Sequence, residues 1–258
     1  RERADYRFAH YLADRFWRIF SAYLPALVFV AIIDSTIAGD PAYPYRASFD
    51  ARTLIGNVLM LQEYPAFQVL RRLGVPEQSW FVETFGSGRP FWTVAIEWWI
   101  YLFFGYLAFA AMRKRTAGHA RPLVVAALAV VPLYNAIGGV GDCLTLVWII
   151  GFLWAIVQHR RREAMLAVHG RSRMALLGVA VCVASAALLV GRIEATHFRV
   201  YDLQFAILAS GVLFGLFFAL GFADPIALPP WMRRTISFLA DYSYSLYLTH
   251  YTILTYVV

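Results

Sequence analysis

The chain has 258 residues, is 60% hydrophobic and only 15% charged, and has a mean hydropathy of +0.59. Soluble domains run at about 45–50% apolar and about 25% charged, so a water-soluble domain is excluded and an integral membrane protein is expected. The net charge of +7 does not require nucleic acid as a partner, because basic segments kept on one side of a bilayer give the same surplus.

A full crossing needs about 20 apolar residues. By that measure the chain reads as an all-α, polytopic membrane helix bundle of about seven spans plus one half-helix, in a single domain over 1–258. It opens on charged residues and ends inside the apolar run Thr252 to Val258. It is therefore expected to be a piece of a longer membrane protein, truncated at both ends.

The first span is expected over Phe16–Asp34. Arg15 and Arg18 lead into it and are three positions apart, so they share a helix face. Two guanidiniums at a membrane boundary can bind phosphate or pyrophosphate through planar forks, or can reach to lipid head groups. Ser35–Pro90 follows as an irregular segment rich in Pro and Gly. Its one apolar run, Leu54–Leu61, is too short to cross and is expected to form a half-helix or interfacial helix.

The second span, Phe91–Met112, holds one carboxylate, Glu97. A charge at that depth costs about 2.5–3.5 kcal/mol on insertion scales, so Glu97 must be protonated, paired or facing a polar cavity. Thr93, Glu97 and Tyr101 fall four apart and form one polar stripe on an otherwise lipid-compatible helix. Further spans are expected over Pro122–Ile137, Leu144–Gln158, Met174–Gly191 and Leu203–Gly221. Gly138-Gly139-Val140-Gly141 is a tight turn with no preceding strand, not a nucleotide loop. Cys143 in a loop and Cys182 within a span differ too much in depth for a disulfide. Asp142, His197 and Asp202, near helix ends, read as caps or solvated groups.

The last span, Ile236–Val258, carries Ser243, Tyr247 and His250 on one face. A histidine near mid-membrane can shuttle a proton or hydrogen-bond a carbonyl. With alternating spans, sixteen of the 23 Lys and Arg lie on the N-terminal side of the membrane and seven on the other. This bias puts the N-terminus in the cytoplasm. No metal-ligand spacing, phosphate loop or nucleophile elbow is present.

Three of these stretches resemble one family. Arg15 and Arg18 running into Ile19-Phe20-Ser21-Ala22-Tyr23-Leu24-Pro25 resemble the "R-x-x-R-I-x-P-x-Y" motif of the acyltransferase-3 family. Phe91-Trp92-Thr93-Val94-Ala95-Ile96-Glu97-Trp98-Trp99-Ile100-Tyr101-Leu102 is similar to its "W-S-L-x-V-E-x-x-F-Y-L" signature. Phe238 to His250 is similar to its "L-G-x-I-S-Y-S-L-Y-L-x-H" ending. The three occur in the family's order, from Arg15 to His250, so the resemblance extends over nearly the whole chain.

The resemblance implies an O-acyltransferase of a bacterial inner membrane that carries an acyl group, often acetyl, from cytoplasmic acyl-CoA to a hydroxyl of an external or lipid-linked carbohydrate. Acyl-CoA is a co-substrate and no cofactor is implied; the other partner is the bilayer. Glu97 and His250 are assigned to catalysis. Arg15, Arg18, Trp92, Thr93, Tyr101, Ser243 and Tyr247 are assigned to substrate binding. The chain departs from the family pattern at Ser21, where the family has proline, and at Thr93, where it has serine. The family's arginine and catalytic histidine lie in a first span, followed by a second; neither span is within these residues, and His10 does not fit the motif. A proton-coupled transporter of a small solute or lipid-linked sugar would also bury Glu and His, but no second interrupted half is visible. A non-catalytic scaffold would use the same stripes only as interhelical hydrogen bonds.

Overall fold

The computed structural model describes residues 7–62, 64, 73–74, 81–112, 120–137, 145–196, 203–222 and 229–257. Among these, the regular elements are all helical: α1 (Phe8–Ile37), a 3₁₀ turn (Arg46–Ser48), α2 (Ala51–Val58), α3 (Phe91–Met112), α4 (Ala120–Ile137), α5 (Thr145–His169), α6 (Arg171–Ala195), α7 (Leu203–Phe222) and α8 (Pro230–Val257). The helices α1, α6 and α7, and α3 over Phe91–Phe109, are long and apolar enough to cross a membrane. α4 and α5 hold shorter apolar stretches, Val124–Asn135 and Thr145–Val157. α8 has the length, 28 residues, but its Ser, Thr and Tyr side chains lower its hydropathy. The expected seven spans thus comprise four apolar crossings, two shorter apolar stretches and one polar helix.

Two boundaries move. α1 begins at Phe8 rather than Phe16, so Arg15, expected just ahead of the span, lies within the helix as Arg18 does. Its start is capped by His10, whose Nδ1 accepts the Arg7 N–H at 3.2 Å. The basic stretch 160–173, expected as a loop, is helical and broken only at Gly170, where φ is +74°. Lys and Arg are good helix formers, and a charge run alone does not end a helix. Cys182 is a free thiol. Cys143, Asp142, His197, Asp202 and the Gly138–Gly141 turn lie outside the described residues.

The chain divides into two compact units, Arg1–Pro132 with Pro229–Val258, and Leu133–Leu228. In the second unit α6 and α7 meet almost backbone to backbone. A Cβ on Gly178 would sit 2.4 Å from the Ala219 nitrogen, and one on Gly215 would sit 2.4 Å from the Cys182 nitrogen. Small residues permit such contact where lipid removes the hydrophobic drive for helices to associate. Trp154, Met174, Phe218 and Phe222 form the core of this unit. A cavity of about 500 Å³ in this unit is lined by Trp154, Phe214 and Phe217 among others, and among the described residues none of its lining side chains is titratable.

In the first unit the core is built by Ile19, Phe20, Tyr23, Leu27 and Val30 of α1, Phe91 and Val94 of α3, and Leu248 of α8. The expected half-helix is present as α2, three residues earlier than its apolar run. Asp50 caps it, accepting the Thr53 N–H at 3.0 Å and the Thr53 hydroxyl at 2.7 Å. Eight residues rise only about 12 Å, so α2 does not cross. Among the described residues, side chains satisfy several backbone groups of the irregular chain around it. The Asn57 amide donates to the carbonyls of Thr53 and Glu83 and accepts the Phe85 N–H. Tyr23 donates to the Asn57 carbonyl, and Gln62 to the Phe91 carbonyl. Non-helical backbone at membrane depth survives only under such coverage. Replacing Asp50 with Ala should cost about 1 kcal/mol, seen as faster amide exchange at residues 51–54 with the spans still protected.

Candidate functional site

Polar side chains of α1, α3 and α8 converge along one line through the first unit. α3 runs opposite to the other two, because Tyr11 and Arg15 of α1 face Tyr101, Phe20 faces Trp98, and Asp34 faces the loop before α3. On the third side Thr252, Tyr247 and Tyr244 of α8 come level with Ser87, Thr93 and Glu97.

At one end lies Asp34, fully buried. Its carboxylate accepts the Ser87 N–H at 2.7 Å and the Ser87 hydroxyl at 2.8 Å, and Ser87 Oγ lies 2.9 Å from Thr252 Oγ1. A carboxylate without water needs such donors on both oxygens. The loop closes over it through Gly86, whose φ is +52° and where any Cβ would collide with Asp34 Oδ2. Outside the spans, Tyr43 and Tyr45 flank this junction. Burial and the nearby Asp34 push the Tyr43 phenol up. Burial and the hydrogen bond to Tyr251, 2.8 Å between oxygens, push Tyr45 up to about 12.

In the middle, Thr93 Oγ1 lies 3.0 Å from the Tyr247 hydroxyl. Thr93 lies in the first turn of α3, which enters through Gly88-Arg89-Pro90; the Phe91 N–H bonds the Gly88 carbonyl, and Pro90 leads into that turn. One turn further on, Tyr101 donates to Glu97 Oε1 at 2.6 Å, as the four-residue spacing requires. Tyr244 lies within electrostatic reach of Glu97, Tyr101, Tyr247 and Arg18. Its hydroxyl is buried with no hydrogen-bond partner.

At the other end, the Arg15 guanidinium stands over the Tyr101 ring at 5.0 Å and the Tyr11 ring at 5.2 Å. Its Nε is buried without a hydrogen-bond acceptor. Arg18 is exposed and acts electrostatically on Tyr101 and Tyr244. Tyr11 donates to the Tyr101 carbonyl at 3.1 Å and fills the space that the missing side chain of Gly105 leaves. From Arg15 to Asp34 is nineteen positions along α1, about 28 Å at 1.5 Å per residue, close to the thickness of a hydrocarbon core.

The predicted residues separate accordingly. Arg15, Arg18, Thr93, Glu97, Tyr101 and Tyr247 come together. Trp92 is half-buried beside Thr93. Ser243 is exposed and donates to the Ala240 carbonyl of its own helix at 2.8 Å, a back-bond that serine readily makes where water is scarce. His250 places Nδ1 2.7 Å from the Tyr247 carbonyl and packs between the rings of Tyr247 and Tyr251; no contact joins it to Glu97. The α8 face that meets α3 is therefore Tyr244 and Tyr247, continued by Leu248 and Thr252, a rotation away from the expected one. Asp34, Ser87, Thr252, Tyr11 and Tyr244 were not singled out from sequence. An aspartate inside an apolar run was the available signal for the first of them.

The arrangement can hold an anion at its arginine end and polarise a hydroxyl along its length. Among the described residues no group of His, Cys, Asp and Glu could hold a metal ion. No curated protein and no solved structure matches the chain. The acyltransferase-3 family model, described as an acyltransferase domain, matches residues 3–258. With a match over virtually the whole length and a helical fold with apolar crossings, the chain belongs to the acyltransferase-3 family of membrane acyltransferases.

Proposed function

We propose that the first unit moves an acyl group, most simply acetyl, from acyl-CoA on the cytoplasmic side to a hydroxyl of an external or lipid-linked carbohydrate at a bacterial inner membrane. The observation that carries this reading is the polar line itself. It has cations at one end, a carboxylate–tyrosine pair inside, and a second buried carboxylate about one membrane thickness away. The positive-residue bias supports a cytoplasmic arginine end, the side on which acyl-CoA would be met. Arg18, with Arg15 behind it, receives the donor's phosphates as bidentate partners. The acceptor oxygen attacks the thioester carbonyl carbon; a C–O bond forms, the C–S bond breaks, and the CoA thiol leaves with the proton taken from the acceptor. The family resemblance assigns the general base to a histidine of a first span outside these residues. Within them, Glu97 orients that base and offsets its positive charge, held in place by Tyr101. His250 fixes the α8 backbone at Tyr247, the partner of Thr93.

The test uses the protein expressed from its complete native reading frame, in sealed membranes supplied with labelled acetyl-CoA on the cytoplasmic face. Label should pass into alkali-labile ester on envelope carbohydrate. Arg18→Gln should raise the KM for acetyl-CoA about tenfold, as loss of one charge-assisted contact to phosphate implies, with kcat near wild type. An unchanged KM would remove Arg18 from the donor site. Solute uptake without ester formation would instead support the proton-coupled transporter, which could also use the half-buried Glu97 and the buried Asp34.

A further inference from the structure

The cavity of about 500 Å³ in the second unit is a cleft between α5 and α7, of a size that holds a small ligand, about 300–1,000 Å³. Small residues open it from both helices: Gly151 and Ala155 of α5, and Gly221 of α7. A Cβ on Gly151 would meet nothing within 4 Å. Trp154 forms a wall, its ring packed on Phe214 and Phe218 with centroids 4.6 Å away in each case. The lining runs from Val147 to Ala155 and from Ser210 to Gly221. At 1.5 Å per residue these stretches measure about 12 and about 16 Å. That is close to half of a hydrocarbon core of about 30 Å, the depth of one leaflet.

Two features narrow what fits. The Ser210 hydroxyl already donates to the Ala206 carbonyl at 2.6 Å, whereas the Trp154 indole N–H is buried with no acceptor. An unmet buried donor costs free energy, so an apolar ligand with one acceptor oxygen is favoured over a pure hydrocarbon. The second feature is charge. Beyond Ala155, α5 continues into Arg160-Arg161-Arg162, and α6 opens with Arg171 and Arg173. Residues 160–173 hold five arginines against one acid, Glu163, and Arg160, Arg171 and Arg173 are exposed. This stretch lies at the Gly221 end of the cleft, because Met165, Leu166 and Met174 pack with Trp154, Phe218 and Phe222.

We propose that the cleft binds one acyl chain of an anionic glycerophospholipid of the bilayer, with its ester carbonyl beside Trp154 and its phosphate among the arginines of 160–173. The chain is one leaflet long, the carbonyl accepts the indole N–H, and the guanidiniums pair with the phosphate. Spacing favours this lipid over a long-chain acyl-CoA. Arg160 is six positions beyond Trp154, about 9 Å along the axis, which suits a phosphate one glycerol away from its ester; the phosphates of acyl-CoA stand a whole pantetheine arm from the thioester. A zwitterionic lipid brings the same chain but adds a cation beside the arginines. The site does not depend on the acyl-transfer reading, since this lipid is neither donor nor acceptor.

The test is native mass spectrometry on the protein from its complete reading frame, in detergent, titrated with dioleoylphosphatidylglycerol or with dioleoylphosphatidylcholine. One saturable phosphatidylglycerol adduct should form, about tenfold or more tighter than any phosphatidylcholine adduct. Gly151→Leu fills the cleft from a position with room for its Cβ. It should weaken the adduct about tenfold with no fall in melting temperature. Arg160→Gln combined with Arg173→Gln should cut the preference for phosphatidylglycerol about tenfold. Arg233→Gln combined with Arg234→Gln removes as much charge from exposed residues of the first unit and should change nothing. Equal binding of the two lipids overturns the proposal, as does wild-type binding by Gly151→Leu or an equal loss in the two arginine pairs. Displacement by palmitoyl-CoA at equal concentration would give the cleft to the acyl donor, and a mass of two chains abolished by Gly151→Leu would give it to a second copy; either result overturns the proposal. Should the Arg160 and Arg173 pair fail to fold, Gly151→Leu decides alone.

Discussion

Glu97→Gln should lower acyl transfer by about 100-fold or more, the usual worth of a group that serves proton transfer, while the protein folds and inserts normally. The carboxamide keeps the volume and can still accept from Tyr101 across 2.6 Å, so packing of α3 against α1 and α8 is preserved. Only the negative charge that acts on Tyr244 and Tyr101 is removed. Tyr101→Phe should lower the rate less, about tenfold, because it frees Glu97 without removing it. Acetyl-CoA cleavage in purified membranes, normalised to folded protein, checks both. If Glu97→Gln transfers acetyl at the wild-type rate, the carboxylate is a structural hydrogen-bond acceptor and the mechanism proposed for the polar line fails.

Gly215→Leu should destabilise the second unit by about 3 kcal/mol, at the upper end of overpacking penalties, or prevent its folding. The clash is with the backbone, the Cys182 nitrogen and Cα, so no rotamer change relieves it and α6 must move away from α7. Gly178→Leu meets the Ala219 backbone in the same way. Gly191→Ala is the control: nothing lies within 4 Å of a Cβ there, and near the end of α6 alanine is favoured over glycine by up to about 1 kcal/mol. Thermal unfolding in detergent should show the first two shifted down and the control level or shifted up. A Gly215→Leu protein that melts with wild type would mean that α6 and α7 do not touch as described.

How far the sequence could be read depended on the kind of signal. α3 was legible to both ends because its apolar run is bounded by Pro90 and by the basic residues after Met112. α1 was not, since Phe8 to Asp14 mixes aromatic and charged residues; what makes them helical is packing, with Phe8 and Tyr11 against Phe109. Spacing within one helix identified Thr93, Glu97 and Tyr101 as a set, and the Tyr101–Glu97 bond follows from it. Spacing could not say which side of α8 turns inward. Ser243 and His250 share a face with Tyr247 in projection, yet Leu248 and Thr252 are the buried positions, so the working neighbour became Tyr244. The basic stretch 160–173 misled because composition marks solvation and not helix ends. The Asp34 junction was illegible for a different reason. Its members come from three separate segments, and no periodicity links them.

That junction has a consequence for how the protein is made. Ser87 and Thr252 are 165 residues apart in sequence, and the whole second unit is synthesised between them. During translation the Asp34–Ser87 pair stays without its third member until α8 has been made. Contacts so distant along the chain form late and slowly. A copy that stops before α8 lacks Thr252, and its Ser87 hydroxyl is left without that 2.9 Å neighbour beside Asp34.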